Sequence, residues 1–148
     1  MFVVKGISHL GIAPKDPQRF QWFLKEALQL GFIGSELVQE QKTNTHMFHP
    51  VTAGEPDSSS ARLEVLQHAG PDEGPISKYL EKKGGGIHHI AFEVDNVVAA
   101  ISRLKALNVQ MIDEEPRRGA HQTLVAFVHP NATGGVLIEL VQGAKQPT

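Results

Sequence analysis

Two histidines and two glutamates stand at matching places in this chain of 148 residues, and together they have the chemistry of a divalent-metal site. His9 lies in ISHLGIA and His89 in IHHIAFEV, while Glu64 lies in ARLEVLQ and Glu139 in VLIELVQ. Each glutamate follows its histidine at a similar distance, about 55 positions in the first case and about 50 in the second, as a repeated unit with loop variation would give. A carboxylate inside an apolar strand is costly unless it pairs, neutralises or meets a cation. If the repeat is structural, equivalent residues of its two copies converge, so His9, Glu64, His89 and Glu139 face one another. Two imidazoles and two carboxylates suit Co, Mn, Ni, Zn or Fe, with positions left for water or substrate. Of the adjacent His88 and His89, strand alternation allows one toward the site, and His89 is the one that matches His9.

The elements that must position these residues also come in two copies. In each, an apolar His-bearing strand leads through an Asp-containing turn into an amphipathic helix, then into strands that end in Glu-apolar-apolar-Gln. Asp16 and Pro17 open the first helix, Phe20, Leu24, Ala27 and Leu28 form its apolar stripe, and Gly31 closes it. Asp95 or Asn96 caps the second, where Val97, Ile101, Leu104 and Leu107 recur at helical spacing. A shorter helix runs from Pro75 through Tyr79 and Leu80 until Gly84, Gly85 and Gly86 stop it. NTHMFH, LVAFVHP and GVLIELVQ read as strands. VTAGEPDSSS, residues 51–60, reads as a mobile loop, and the tail after Gln142 has no ordering pattern. The expected fold is α+β: a single domain, 1–148, of two βαβββ modules (1–68 and 85–148) joined by a linking helix near 75–84. Its sheets form a curved, barrel-like cup around the metal site.

Composition limits the alternatives. Hydrophobic residues make up 41% and charged residues 20%, the balance of a globular protein rather than a disordered one. A net charge of -2 gives no footprint for nucleic acid or an anionic membrane, which leaves a small molecule as the expected partner. With no cysteine, thiolate ligands and a thiol nucleophile are excluded. No stretch has the length of a membrane span and the N-terminus lacks a targeting pattern, so a cytoplasmic location is expected.

The His-bearing first strand, the Glu-bearing strand before the linker, HHIAFEVD and the final IEL are similar to the vicinal oxygen chelate superfamily, which includes glyoxalases, bleomycin resistance proteins and extradiol dioxygenases. More narrowly, PISKYLEKKGGGIHHIAFEVDN, EEPRRGAH and VAFVHPNATGGVLIELVQ resemble methylmalonyl-CoA epimerases over almost the whole chain. Residue by residue, the resemblance implies His9, Glu64 (Gln in some members), His89 and Glu139 as ligands of one divalent ion. It further implies a substrate held through thioester and carboxylate oxygens, and interconversion of the 2R and 2S forms of methylmalonyl-CoA through a metal-stabilised enolate. Glu139 is then the expected base on one side of the reacting carbon. His46 is expected on the other, near where some relatives carry Glu. An acyl-CoA partner and a homodimer complete the expectation.

Two departures from the resemblance touch the mouth of the site: HMFHPVTAGEPDSSS is longer and richer in His, and AHQ stands where relatives often have AHG or AGG. His46 and His121 could line the cup, whereas His49, His68 and His129 read as ordinary structural residues. Lys78, Lys82, Lys83, Arg117 and Arg118 could meet CoA phosphates, although a solvated charged face is the better reading of any one of them. The rival activities are a glyoxalase I-type lactoylglutathione lyase, which uses the same ligand types, and a metal-free binding module of the same fold. An extradiol dioxygenase uses two His and one carboxylate, so a fourth ligand counts against it.

Overall fold

Asp16 accepts a hydrogen bond from the backbone N–H of Arg19 at 3.0 Å and Pro17 fills the first helical position, so the chain enters a helix there. In the computed structural model, which describes residues 1–143, this helix, α1, runs Pro17–Trp22. It then widens into a π turn over Phe23–Ala27, where the Leu28 N–H donates to the Phe23 carbonyl at 3.0 Å. The widening rotates the last residues off the stripe expected for a regular helix, and Leu28 ends up exposed. The linking helix, α2, covers Pro75–Lys83. Gly84 ends it in the left-handed region at φ 76, and a side chain on the following Gly85 would come within 3.0 Å of the Lys15 backbone N. Asn96, not Asp95, caps the third helix, α3 (Val97–Ala106), by accepting from the Ala99 N–H at 3.0 Å. Asp95 is occupied elsewhere, because its Oδ1 accepts from the Val3 N–H at 2.8 Å.

The strands are β1 (Val4–Ala13), β2 (Gly31–Val38), β3 (Thr43–His49), β4 (Val51–Thr52), β5 (Glu55–Pro56), β6 (Arg62–His68), β7 (Gly86–Val94), β8 (Arg117–Arg118), β9 (Leu124–Val128) and β10 (Ile138–Gln142). The class is α+β. The chain divides into two compact units: His9–His88, and Met1–Ser8 together with the residues from His89 onward. In the first, the strand order is β2-β3-β6-β1, with β6 parallel to β1 and antiparallel to β3. In the second it is β7-β10-β9-β8, with β10 parallel to β7 and antiparallel to β9. In each unit a Glu-bearing strand, β6 or β10, therefore lies parallel to the His-bearing strand, β1 or β7.

In each unit the strands bury an apolar face under the first helix that follows their opening strand. Phe20 of α1 and Leu24 of the π turn pack on Phe48, Leu63 and Val65, and each fully buried side chain of that size contributes about 2 kcal/mol. At the end of β6, α2 lays Ile76, Tyr79 and Leu80 over Ala13 and Leu66. In the other unit Val97, Ala100 and Ile101 of α3 pack on Val94, Ala126, Val128 and Leu140. The segment expected to be a mobile loop instead contains the hairpin β4-β5, with Ala53 and Gly54 at positive φ in its turn. The glycine that a composition reading assigns to a loop here serves a tight turn, and Pro56 pairs with Val51 across the hairpin. Asp57 closes its base, donating its N–H to the Pro50 carbonyl at 2.8 Å and accepting from the Ser59 N–H at 3.0 Å. Of the tail after Gln142, residues 144–148 lie outside the described residues. Among the described residues no helix is long and apolar enough to cross a membrane.

Candidate active site

The two units carry the same local construction. In the first, β1 and β6 run parallel with Gly11 beside Glu64, two residues after His9. In the second, β7 and β10 run parallel with Ala91 beside Glu139, two residues after His89. A residue with little or no side chain next to each glutamate leaves its carboxylate room to swing along the strand toward the histidine. His9 Nδ1 lies 3.3 Å from Glu64 Oε2, and His89 Nε2 lies 2.8 Å from Glu139 Oε2. All four side chains are buried, His9 at 4% exposure, Glu64 at 5%, His89 at 6% and Glu139 at 6%. Each unit thus sequesters one carboxylate against one imidazole, an arrangement found where a cation or a moving proton is to be handled.

The walls differ between the two. Beside His89, the Phe127 ring stands edge-on at 5.6 Å between centroids, and the Arg117 guanidinium covers that ring at 5.5 Å. Arg117 Nε also reaches Asp113 Oδ1 at 3.2 Å, and Asp113 Oδ2 accepts from the Phe127 N–H at 2.8 Å, which fixes the ring. Arg117 is thereby committed to its own unit, and Arg118 remains exposed, as do Lys78, Lys82 and Lys83. His88 points away from His89 as the strand period requires. Its ring meets the Tyr79 ring edge-on at 4.9 Å.

His46 needs a correction. Strand residues that pair side by side share a face, and the register sets Met47 against Glu64 but His46 against Val65. His46 therefore lies on the face that carries Phe48 and Val65, opposite to His9 and Glu64. Its ring is also occupied: Nε2–H donates to Gln67 Oε1 at 3.0 Å, which leaves Nδ1 to accept from Ser35 Oγ at 2.6 Å. An imidazole bridging two side chains on the opposite face is not placed to be a base beside Glu64. His121 sits with φ 56 in a short turn over Ala120–Gln122, and His129 accepts from the Asn131 N–H at 3.0 Å.

Two residues of the first unit were not picked out from the sequence. Arg62 sends both Nε (3.0 Å) and Nη2 (2.5 Å) to Glu64 Oε2. The available signal was its position two residues before Glu64, which in a strand means the same face. The other is His49, three residues after His46 and therefore of opposite phase. Burial, and then the Arg62 guanidinium, hold its pKa below the ordinary value, while Asp57 pulls the other way. The folded chain accordingly binds a proton at His49 less readily than the unfolded chain. Its neutral form supports the fold above about pH 6.5, and that support is lost as pH falls through the folded midpoint. An NMR titration should find the His49 ring midpoint under about 6.5. Asp57→Asn should lower it further and Arg62→Gln should raise it. A midpoint above the ordinary value would contradict this electrostatic picture.

Residues 8–127 match the sequence model of the glyoxalase/bleomycin resistance protein/dioxygenase superfamily. The ethylmalonyl-CoA/methylmalonyl-CoA epimerase of Cereibacter sphaeroides is 40% identical over 142 residues, 95% of this chain and 99% of that one. The human mitochondrial methylmalonyl-CoA epimerase is 37% identical over 137 residues, 92% of this chain and 73% of that one. Among solved structures, a variant of the Streptomyces coelicolor methylmalonyl-CoA epimerase in complex with 2-nitronate-propionyl-CoA superposes with a TM-score of 0.85. It is 28% identical, and 99% of each chain is covered. The family model over residues 8–127, the identities of 37% and 40% to curated epimerases and the superposition on a solved one agree: the chain belongs to the glyoxalase/bleomycin resistance protein/dioxygenase superfamily, in the family of the methylmalonyl-CoA epimerases, which are isomerases.

Proposed function

We propose that this chain is a divalent-metal-dependent epimerase of methylmalonyl-CoA, with His9, Glu64, His89 and Glu139 as its metal ligands. The observation that carries this reading is the repeat of a buried His–Glu pair at the same register position of two like-ordered sets of strands. The donor set fits the ion: imidazole nitrogen and carboxylate oxygen without thiolate suit Co, Mn, Ni, Zn or Fe. When bound, such an ion supplies a Lewis acid worth several kcal/mol toward charge developing on a carbonyl oxygen.

The chain's own residues do the rest. The carbon between a thioester and a carboxylate carries an acidic proton, and Glu139 accepts it through a carboxylate oxygen. Burial keeps bulk water from competing for that proton, and the Phe127 ring held by Asp113 and Arg117 keeps the neighbouring wall dry. Return of a proton to the opposite side of the same carbon inverts the centre, with no net change in atoms. An acyl-CoA partner and a homodimeric assembly belong to the same reading.

The test is to add metal-loaded protein to one epimer of methylmalonyl-CoA in deuterated water and follow the α-proton by NMR. Loss of that signal together with appearance of the other epimer is expected. Fully loaded protein that leaves the proton in place, yet converts the hemithioacetal of glutathione and methylglyoxal, would assign the site to a glyoxalase I-type lyase instead.

A further inference from the structure

Inversion of a carbon centre needs a second group, on the side away from the one Glu139 serves, and His46 is turned to the opposite face. The strand register of the His9–His88 unit brings up a different pair. Met47 stands beside Glu64, so Thr45, two residues earlier on β3, lies on the same face. Across to β2, Thr45 is opposed by Glu36, while the adjacent pair, Ser35 and His46, is joined at 2.6 Å on the other face. His9 pairs with Arg62, two residues before Glu64. His9, Glu64, Thr45 and Glu36 therefore share one face of these four strands. His49 shares it too, but it stands beyond Met47 on the side away from Thr45. There burial, and then the Arg62 guanidinium, disfavour its taking up a proton, with Asp57 opposing.

Two threonines on this face, Thr43 and Thr45, are each 3% exposed, yet they are used differently. The Thr43 hydroxyl donates to the Gln41 carbonyl at 2.8 Å. The Thr45 hydroxyl has no hydrogen-bond partner among the described residues. Buried hydroxyls ordinarily find a partner, and one left open is suited to a group that arrives later. A hydroxyl donates and accepts at once, which is what passing a proton requires. Directly opposed strand residues have Cβ atoms about 4.5–5.5 Å apart, so the half-buried Glu36 can bring its carboxylate to that hydroxyl. We propose that Thr45 and Glu36 are the second proton-transfer station of the epimerase, the hydroxyl passing a proton between the substrate carbon and the Glu36 carboxyl group. This rests on the epimerase reading above. In one direction the Thr45 O–H gives its proton to the deprotonated carbon as the Glu36 O–H replaces it: two O–H bonds break, and one C–H and one O–H bond form. Glu36 is left as carboxylate and Glu139 as carboxylic acid, and exchange with water resets both. The reverse direction runs the same steps backward.

The experiment follows metal-loaded protein in deuterated water by NMR, starting from each epimer of methylmalonyl-CoA, and reads two rates: loss of the α-proton and appearance of the other epimer. In Glu36→Gln and in Thr45→Val, inversion should fall by about a hundredfold or more. The epimer whose exchange Glu139→Gln abolishes should still lose its α-proton to within about threefold of the wild-type rate, with its configuration kept, because Glu139 takes and returns that proton. Thr45→Ser, which keeps the hydroxyl, should recover inversion to within about tenfold of wild type. A merely structural pair would slow exchange and inversion by the same factor. That outcome, or wild-type inversion in either Glu36→Gln or Thr45→Val, overturns the proposal. Where Thr45→Val does not fold, Glu36→Gln decides it alone. Wild-type protein that exchanges neither epimer refutes the epimerase reading itself, and the two failures are thereby distinct.

Discussion

Glu139→Gln, saturated with metal before assay, should exchange the α-proton of methylmalonyl-CoA into deuterated water at least about a thousandfold more slowly than the wild-type chain. The substitution keeps size and shape but replaces a basic oxygen by an amide that cannot take up a proton near neutral pH. A positioned base contributes about 100- to 10,000-fold, and the expected loss falls inside that range. Saturating the variant separates the two jobs assigned to this carboxylate, since any weaker metal binding is compensated by concentration. The fold should survive, because the amide still fits beside Ala91 and Phe127 on the neighbouring strands and still faces His89. Wild-type exchange in the saturated variant would reduce Glu139 to a structural partner of His89.

The second large effect is on the metal itself. Protein made without a His-tag should carry about one divalent ion per chain, and His89→Ala should carry almost none. Removing the imidazole takes away a ligand and also one of the partners of a buried carboxylate, at a cost of about 1–3 kcal/mol. The melting temperature of the metal-free variant should therefore fall as well. His88→Ala is the matched control: it is the adjacent histidine, but it packs on Tyr79, so it should leave the metal content unchanged. Equal metal in the wild-type chain and the His89→Ala variant, by elemental analysis, would remove His89 from the ligand set. His9→Ala should behave like His89→Ala.

Much of this was legible in the chain before folding. The cap at Asp16, the proline at the start of α2 and the glycines after it are local chemistry, decided within a few residues, and sequence reads such features well. The repeat was legible too, because it is written as two copies of one order of residue types. His89 rather than His88 could be chosen for the same reason, since the repeat supplied the phase that strand alternation alone does not.

Tertiary structure decided what depends on a partner strand. NTHMFH alternates equally well in either phase, and only the pairing of Met47 with Glu64 sends His46 to the helix-covered face and His49 to the face of His9. Asp95 and Asn96 are equally good caps in sequence, and the choice between them was made by Val3, more than ninety residues away. The π turn that exposes Leu28, and the hairpin inside a segment that composition reads as a loop, are further cases of longer-range order overriding local expectation. So is the tie between Arg62 and Glu64. Residue types and spacing specify which groups can do chemistry, but a strand has no preferred face of its own, and packing against its neighbours assigns one.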